Sequence, residues 1–480
     1  MLLQRDKVSP DEPLEDGRTP LWCASFNGHA GVVEILLERD EVNPDKPHKD
    51  GRTPLLCAAE NGHLEVLKML LERDEVSLDE PDNDGQTPFW SAAWNGRVDV
   101  VKMLLERGEV NPDKPDSDGL TPLHSAAENG HVEVVQLLLA RDEVSLDEPD
   151  NDGQTPLWRA AFNGHVEVVK MLLERDEVNP DELDNDGQTP LYAAAWNGHR
   201  EVVKILLERD KVNPDEPDND GQTPLWCAAD NGHEEVVKIL LERDEVNPDE
   251  PDNDGQTPLW CAAWNGHVEV VKMLLERDEV NLNNPDNGGR TPLHCAAWNG
   301  HEEVVEMLLE RDELNLDKPD IDGQTPFLYA TRNGHARVVK LLFGRDNIDP
   351  NKPDNVGRTP LSWAAGGGHS DIVEMLLGAR DVAPDSTDNG GRTPLAWAEE
   401  CGHIAIVEML RQQCSLSQDI VMTGPTNQRT PTRRSARVAK RRLADHVSVP
   451  QSAGRNNPLD LSPAAPPESS RRRSKRIRRS

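Results

Sequence analysis

Apolar residues recur along most of this chain as a short cluster followed by a longer one. In the copy at residues 218–244, Leu225, Ala228 and Ala229 stand at helical spacing and predict a short helix. A second set repeats at the same spacing and predicts another helix with an apolar stripe. Its members are Val236, Val237, Leu240 and Leu241. Each copy therefore predicts two helices that must bury one face against a neighbour.

The residues between the apolar clusters predict where these helices begin and end. Thr223 is suited to cap the first helix, and Pro224 to be its first residue, where a missing N–H costs nothing. Asn231-Gly232 predicts the end of that helix, because glycine tolerates a positive φ. Residues 247–255 are rich in Pro, Asp and Asn and predict a long turn. The unit is thus a helix, a turn, a helix and a loop.

This unit is repeated along the chain at a constant spacing. Its Thr-Pro step occurs 12 times, once every 34 residues. The threonines are Thr19, Thr53, Thr87, Thr121, Thr155, Thr189, Thr223, Thr257, Thr291, Thr325, Thr359 and Thr393. A fixed period in this range is typical of stacked repeat arrays. We therefore predict one array rather than several globular domains.

The pattern Gly-x-Thr-Pro-Leu-x-x-Ala-Ala-x-x-Gly-His-x-Glu-Val-Val-x-x-Leu-Leu resembles the ankyrin repeat, and the resemblance covers residues 1–413. It implies an all-α solenoid of stacked helix-turn-helix-loop units. It also implies a concave face, lined by turn tips and first helices, that binds other proteins. Two features differ from the family: the period is 34 rather than 33, and the family's Thr-Pro-Leu-His histidine occurs only at His124 and His294.

The array is flanked by a partial unit and a tail. Residues 1–18 correspond to the second helix and loop of a preceding repeat, 19–413 to the array, and 414–480 to the tail. Because residues 1–8 start inside a helix with no polar end unit before them, we expect the C-terminal portion of a longer protein or a gene model started at an internal Met. The polar run at 411–413 predicts an end cap for the last copy.

Charge separates the array from the tail. The net charge is −36, yet residues 411–480 hold 16 Lys/Arg against 4 Asp/Glu, so that this part is +12 and the remainder −48. The tail is rich in Ser, Pro, Arg and Thr with few large apolar residues, which predicts disorder from residue 414. An acidic array favours protein partners with a basic surface and makes nucleic-acid binding unfavourable.

Several classes of protein are excluded by this composition. The chain does not open with a charged-then-apolar signal segment, and no apolar run approaches the ~20 residues of a membrane helix. Most cysteines occupy one position of the repeat, so that neighbours lie about 10 Å apart, beyond disulfide reach. We therefore predict an intracellular, reducing compartment, no membrane association and a monomer.

Two recurring clusters partly match metal sites. Residues 148–153 match the start of a calcium loop, but the Glu required six residues after Gly153 is replaced by Arg159. Histidines follow a glycine in nearly every copy, such as His165 and His233, and stand too far apart to share one ion. We interpret both as structural, and predict no metal, no cofactor and no catalytic site.

One position varies while its surroundings stay constant, namely the second residue after the first Ala of each Ala-Ala. Helical spacing places it on the exposed side of the first helix, and in the ankyrin family the matching position faces the concave surface. Exposed aromatic residues are enriched in binding hot spots. The predicted partner-binding residues are Phe26, Trp94, Phe162, Trp196, Asp230, Trp264, Trp298 and Arg332. The alternative is that these rings pack against neighbouring copies.

The residue before each cap threonine also follows a pattern. It is Arg in the first two copies and in three of the last four, and Gln in most of the others. The family resemblance implies that this residue also lies near the binding face.

The tail contains two basic clusters, at 433–442 and 471–479. Clusters of this length are typical of nuclear-import signals or nucleic-acid contacts. Import is favoured because no aromatic residues are interleaved for base stacking. A third interpretation is that the tail folds back onto the acidic array. The predicted import-receptor contacts are Arg433, Arg434, Lys440, Arg441, Arg442, Arg471, Arg472, Arg473, Lys475 and Arg476.

The sequence therefore favours a non-enzymatic scaffold or recognition module that binds partner proteins and resides in the nucleus or cytoplasm, with the nucleus favoured by the tail. The alternative is the sensor end of a larger signalling protein whose upstream effector domain, such as a nucleotide-hydrolysing one, is missing from this chain.

Overall fold

The computed structural model describes residues 10–422, with side chains through Gln413. Within that range it contains 24 helices and no strand, in two alternating sets. The inner helices are α1 Pro20–Phe26, α3 Pro54–Asn61, α5 Pro88–Trp94, α7 Pro122–Glu128, α9 Pro156–Phe162, α11 Pro190–Trp196, α13 Pro224–Asp230, α15 Pro258–Asn265, α17 Pro292–Asn299, α19 Pro326–Asn333, α21 Pro360–Gly367 and α23 Pro394–Cys401. The outer helices are α2 Ala30–Leu37, α4 Leu64–Leu71, α6 Val98–Arg107, α8 Val132–Leu139, α10 Val166–Leu173, α12 Arg200–Leu207, α14 Glu234–Leu241, α16 Val268–Leu275, α18 Glu302–Leu309, α20 Ala336–Phe343, α22 Ser370–Leu377 and α24 Ile404–Met422.

The predicted helix boundaries are confirmed in the copy used above. The Thr223 side chain accepts a hydrogen bond from the backbone N–H of Trp226 at 3.2 Å, and Pro224 is the first helical residue. Gly232 has a φ of 73°, as predicted for the residue after the helix. A side chain could not replace it, because a Cβ there would lie 2.6 Å from the Nδ1 of His267.

The predicted apolar positions form the core. Leu225, Ala228, Ala229 and Val237 are fully buried, and the small alanines let neighbouring inner helices approach closely. Inner helices pack on the next inner helices, as α13 does on α15, and outer helices on outer ones, as α14 does on α16. This recurrence is the packing expected of an ankyrin solenoid.

The turns between repeats are also bonded to one another. Asp218 Oδ1 accepts the backbone N–H groups of Asp220 and Gln222, both at 2.9 Å. The side-chain amide of Asn219 donates to the carbonyl of Asn185, one repeat earlier, at 3.1 Å. The carboxylates that partly match a calcium loop thus bond to the backbone of their own turn, as the structural interpretation requires.

The chain divides into two compact units. Among the described residues, unit 1 comprises 10–330 and 340–348, and unit 2 comprises 331–339 and 349–422. The last helix, α24, extends beyond the predicted array boundary at 413, because the first helix-breaking residues after it are Gly424 and Pro425. The six described cysteines are free, and burial raises the pKa of the Cys57 thiol.

Candidate protein-binding face

The varied position lies in the last turn of each inner helix. Seven of the eight predicted contact residues are half-buried there, while Phe26 is 37% exposed. They are less exposed than helical spacing alone predicts, because the rings pack on neighbouring side chains. Each still presents part of its surface on one side of the stacked helices.

Most of these aromatic residues stack on a second aromatic ring one turn earlier in the same helix. The stacked pairs are Trp22 with Phe26, Trp90 with Trp94, Trp158 with Phe162, Tyr192 with Trp196, and Trp260 with Trp264, with ring centroids 5.1–6.3 Å apart. Parallel aromatic pairs of this kind contribute about 0.5–1.5 kcal/mol beyond their buried area. Stacking therefore orients the outer ring and leaves only one of its faces open.

In four of the five pairs the inner ring is bonded to the next repeat, and Trp158 is the exception. The indole N–H of Trp90 donates to the carbonyl of Leu120 at 2.8 Å, and that of Trp260 to the carbonyl of Arg290 at 3.1 Å. His124 makes the equivalent bond, from Nε2 to the carbonyl of Gln154 at 3.0 Å. Trp90 and Trp260 thus supply the same inter-repeat donor as the histidine that they replace.

The recurring histidines hold the varied residue from the other side. His131 Nε2 lies 2.8 Å from the carbonyl oxygen of Trp94, and His233 Nε2 lies 2.9 Å from that of Trp196. A carbonyl can only accept, so the imidazole Nε2–H is the donor. The structural interpretation of this histidine row is therefore confirmed, although the carbonyl belongs to the preceding repeat rather than to the histidine's own turn. In these repeats the histidine therefore fixes the backbone carbonyl of the residue at the varied position.

Aromatic side chains contact one another across three consecutive repeats of unit 1. The ring centroids of Trp264 and Trp298 are 6.1 Å apart, and those of Trp298 and Tyr329 are 4.6 Å apart. The rings are tilted by 39° and 47° rather than parallel, and Trp264 and Trp298 are half-buried whereas Tyr329 is 4% exposed. The structure thus brings together two predicted contact residues of neighbouring repeats, Trp264 and Trp298.

Carboxylates replace the aromatic ring in other repeats of unit 1. Glu60 pairs with Arg52 at 3.3 Å, and Glu128 pairs with Arg159 at 3.0 Å. Asp230 accepts a hydrogen bond from the Asn265 amide at 2.8 Å, and burial raises its pKa. The face in unit 1 thus combines aromatic rings with acidic groups.

Unit 2 presents a different surface. Its indoles Trp363 and Trp397 are 8% and 2% exposed, and arginine side chains cover them. The guanidinium of Arg332 lies 4.4 Å from the ring centroid of Trp363. Arg358 lies 4.4 Å from Trp363 and 3.8 Å from Trp397, and Arg392 lies 3.7 Å from Trp397. Guanidiniums and indoles therefore alternate, and cation–π attraction holds them together.

Sequence reasoning did not identify the anchoring rings Trp22, Trp90 and Trp260 or the arginine–tryptophan stack. A signal for the first was present, because an aromatic residue four positions before another lies on the same helix face. The predicted import residues and residues 1–9 lie outside the described part of the chain. None of the described helices is long and apolar enough to cross a bilayer.

Comparison with known families identifies the repeat. The sequence model described as ankyrin repeats, three copies long, matches overlapping segments from residues 1–80 through 346–422. No curated protein matches the chain.

Proposed function

Because this chain belongs to the ankyrin-repeat family, whose repeats are generally protein–protein interaction modules, we propose that it binds partner proteins through the face formed by its inner helices. Ankyrin-repeat proteins are typically non-enzymatic scaffolds, and the proposed role for this chain is recognition rather than catalysis.

One observation carries this proposal, namely the row of stacked aromatic residues in unit 1. Cap, turn and core residues are nearly invariant between copies, whereas the varied position holds aromatic, acidic and basic side chains. Packing alone does not require this variation, because repeats with Glu60 or Asp230 there form the same helix pair. Rigid, half-exposed aromatic rings lose little conformational entropy on binding and are typical binding hot spots.

Charge supports a partner with a basic surface. The array carries most of the acidic residues, and unit 1 adds carboxylates such as Glu60 and Asp230 to the aromatic face. Complementary charge accelerates association, and aromatic rings also accept cationic side chains. The array is proposed to bind as a monomer.

The test replaces Trp94, Trp196, Trp264 and Trp298 by alanine together and measures partner capture from cell extract by the tagged full chain. We expect capture to weaken by at least about tenfold, since hot-spot residues each contribute about 2 kcal/mol or more. Val32 and Val132, which are 46% and 38% exposed on outer helices, provide the control when replaced by alanine. Equal capture by the tryptophan variant and the control would refute the proposed face.

We also propose that the tail directs nuclear import through the clusters at 433–442 and 471–479. Deleting residues 429–480 tests this: a fluorescent fusion should move from the nucleus to the cytoplasm. An unchanged nuclear location would refute the import role, and stronger partner capture after deletion would instead indicate that the tail masks the array.

A further inference from the structure

The arginine before the cap threonine has a carboxylate partner in four of the five repeats that carry it. Arg18 pairs with Asp16 at 2.6 Å, and Arg290 with Asp286 at 2.6 Å. Arg52 and Arg392 pair with a turn carboxylate too, Asp50 at 3.6 Å and Asp388 at 3.3 Å, and they also reach the varied position of their own repeats. They lie 3.3 Å from Glu60 and 3.7 Å from Glu400.

Arg358 is the exception. Among the described residues, no carboxylate forms an ion pair with its guanidinium, which lies between the rings of Trp363 and Trp397. In the repeats of Arg52 and Arg392 the varied position holds Glu60 and Glu400, whereas in the repeat of Arg358 it holds Gly366. The repeat therefore lacks the side chain that would complete the ion pair.

Two carboxylates of unit 2, Asp354 and Asp388, act electrostatically on Arg358, but their oxygens accept hydrogen bonds from groups other than its guanidinium. Asp354 Oδ1 accepts the backbone N–H of Arg358 at 2.8 Å, and its Oδ2 accepts the indole N–H of Trp363 at 2.9 Å. Asp388 Oδ2 accepts from the indole of Trp397 at 3.1 Å and from Arg392. Burial and the neighbouring guanidinium of Arg392 lower the pKa of Arg358, so an additional negative charge there is favourable.

Gly366 is buried beside Trp397, but its backbone leaves room for a Cβ, while Arg358 itself is only half-buried. A Cβ built on Gly366 would meet the Trp397 side chain at 3.7 and 3.9 Å, which is ordinary van der Waals contact. Gly366 lies inside α21 with a helical backbone, so glycine is not required there by a turn. A substituted side chain therefore fits at position 366, and the exposed part of Arg358 is accessible to a group from outside the chain.

We propose that Arg358, between Trp363 and Trp397 and beside Gly366, binds a carboxylate side chain from an acidic segment of a partner protein. The carboxylate takes the place that Glu60 and Glu400 hold beside their own arginines. This inference rests on the proposed function, since it uses the same inner-helix face, and it assigns to unit 2 a partner chemistry opposite to that of unit 1.

The test uses the full chain with fluorescent peptides of equal length, oligoglutamate and oligoglutamine, read by anisotropy in physiological salt. The Debye length is then about 8 Å, so the distant acidic surface is largely screened. We expect oligoglutamate to bind more tightly than oligoglutamine. Gly366→Glu should weaken oligoglutamate binding by about tenfold, because the new carboxylate pairs with Arg358. Gly366→Gln, which fills the space without charge, should weaken it less.

Ser370→Glu is the matched control, because it adds the same charge in the same repeat. Glutamate is accepted at the first position of an outer helix, as Glu234 and Glu302 show. Both variants are expected to keep the circular dichroism of the parent. Unchanged binding in Gly366→Glu, or an equal loss in Ser370→Glu, would overturn the inference. Tighter binding of a phosphoserine peptide than of oligoglutamate would overturn the assignment to carboxylate.

The oligoglutamate test can succeed or fail independently of the test of the aromatic face. If the tryptophan variants keep partner capture while Gly366→Glu loses oligoglutamate, the carboxylate site stands and the aromatic proposal falls. If the tryptophan variants lose capture while Gly366→Glu binds oligoglutamate normally, only the carboxylate site falls.

Discussion

The inner helices of the two units use tryptophan in opposite ways. In unit 1, Trp226 stands three residues after its cap threonine, and its indole donates to the carbonyl of Gln256 in the next repeat. In unit 2, Trp363 stands four residues after its cap threonine, and its indole donates to Asp354 of its own turn. A shift of one residue rotates the ring by about 100° around the helix.

This rotation changes what covers the ring. In unit 1 the anchored indole supports a second aromatic ring, so that an apolar patch is presented. In unit 2 the indoles lie under Arg358 and Arg392, so that guanidinium groups are presented. One repeated scaffold thus carries two chemically different faces, and changes outside the invariant cap, turn and core residues are sufficient to produce the difference.

The largest expected effect is on stability. Trp397 is 2% exposed, so Trp397→Ala should cost about 3–5 kcal/mol through lost burial and an internal cavity. Trp94 is half-buried, so Trp94→Ala should cost only about 1–2 kcal/mol. Hydrogen exchange in the helix that carries each tryptophan, α23 or α5, measures both. Equal costs would contradict the view that indoles are structural in unit 2 and available for contact in unit 1.

The shared scaffold should respond equally in both units. Thr257 and Thr393 each accept a backbone N–H at 3.2 Å as helix caps. Thr257→Ala and Thr393→Ala should therefore each cost about 1 kcal/mol, and hydrogen exchange in α15 and α23 should change to the same extent. A clear difference between the two would show that the units differ in their scaffold as well as in their faces.

The turn carboxylates should respond differently to pH. Burial raises the pKa of Asp252 in unit 1 to about 6. In unit 2, burial also acts to raise the pKa of Asp388, but the backbone N–H and guanidinium of Arg392 hold it below its usual value. Folded Asp252 binds a proton more readily than the unfolded chain does, so its contribution to stability increases as pH falls through about 6 toward 4. Asp388 contributes stability at neutral pH that is lost as pH falls through its lowered pKa.

Substitution by asparagine tests this contrast, because its side-chain oxygen can still accept the turn N–H groups. Asp252→Asn should remove about 1 kcal/mol of the stability gained on acidification from about pH 7 to about pH 5, after allowance for solvent screening. Asp388→Asn should instead destabilise the protein at neutral pH. Denaturant unfolding at several pH values measures both, and the same response in the two variants would count against the role of Arg392.

The sequence predicts the scaffold well because its determinants are local. Thr223, Pro224 and Gly232 act within their own helix, and the spacing of Leu225, Ala228 and Ala229 identifies the buried face. The contacts between repeats were not predictable in this way. The indole of Trp226 meets a residue 30 positions away, and His233 meets one 37 positions away, which depends on the path of the loop and on the stacking of repeats.

The binding site was predicted as a set of positions rather than as a surface. The varied position was identified correctly as a row on the inner helices, and whether those residues contact a partner remains a prediction. The arginine side chains that cover Trp363 and Trp397 come from three repeats. A sequence pattern within one repeat could therefore not predict these contacts.

The most direct test of the proposed face is site-specific photo-crosslinking from two positions of one repeat. Trp196→p-benzoylphenylalanine places the crosslinker on the inner helix α11, and Lys204→p-benzoylphenylalanine places it on an exposed site of the outer helix α12. In cells, we expect a discrete crosslinked partner from position 196 and none from position 204. Crosslinking from position 204 alone would contradict the proposed face.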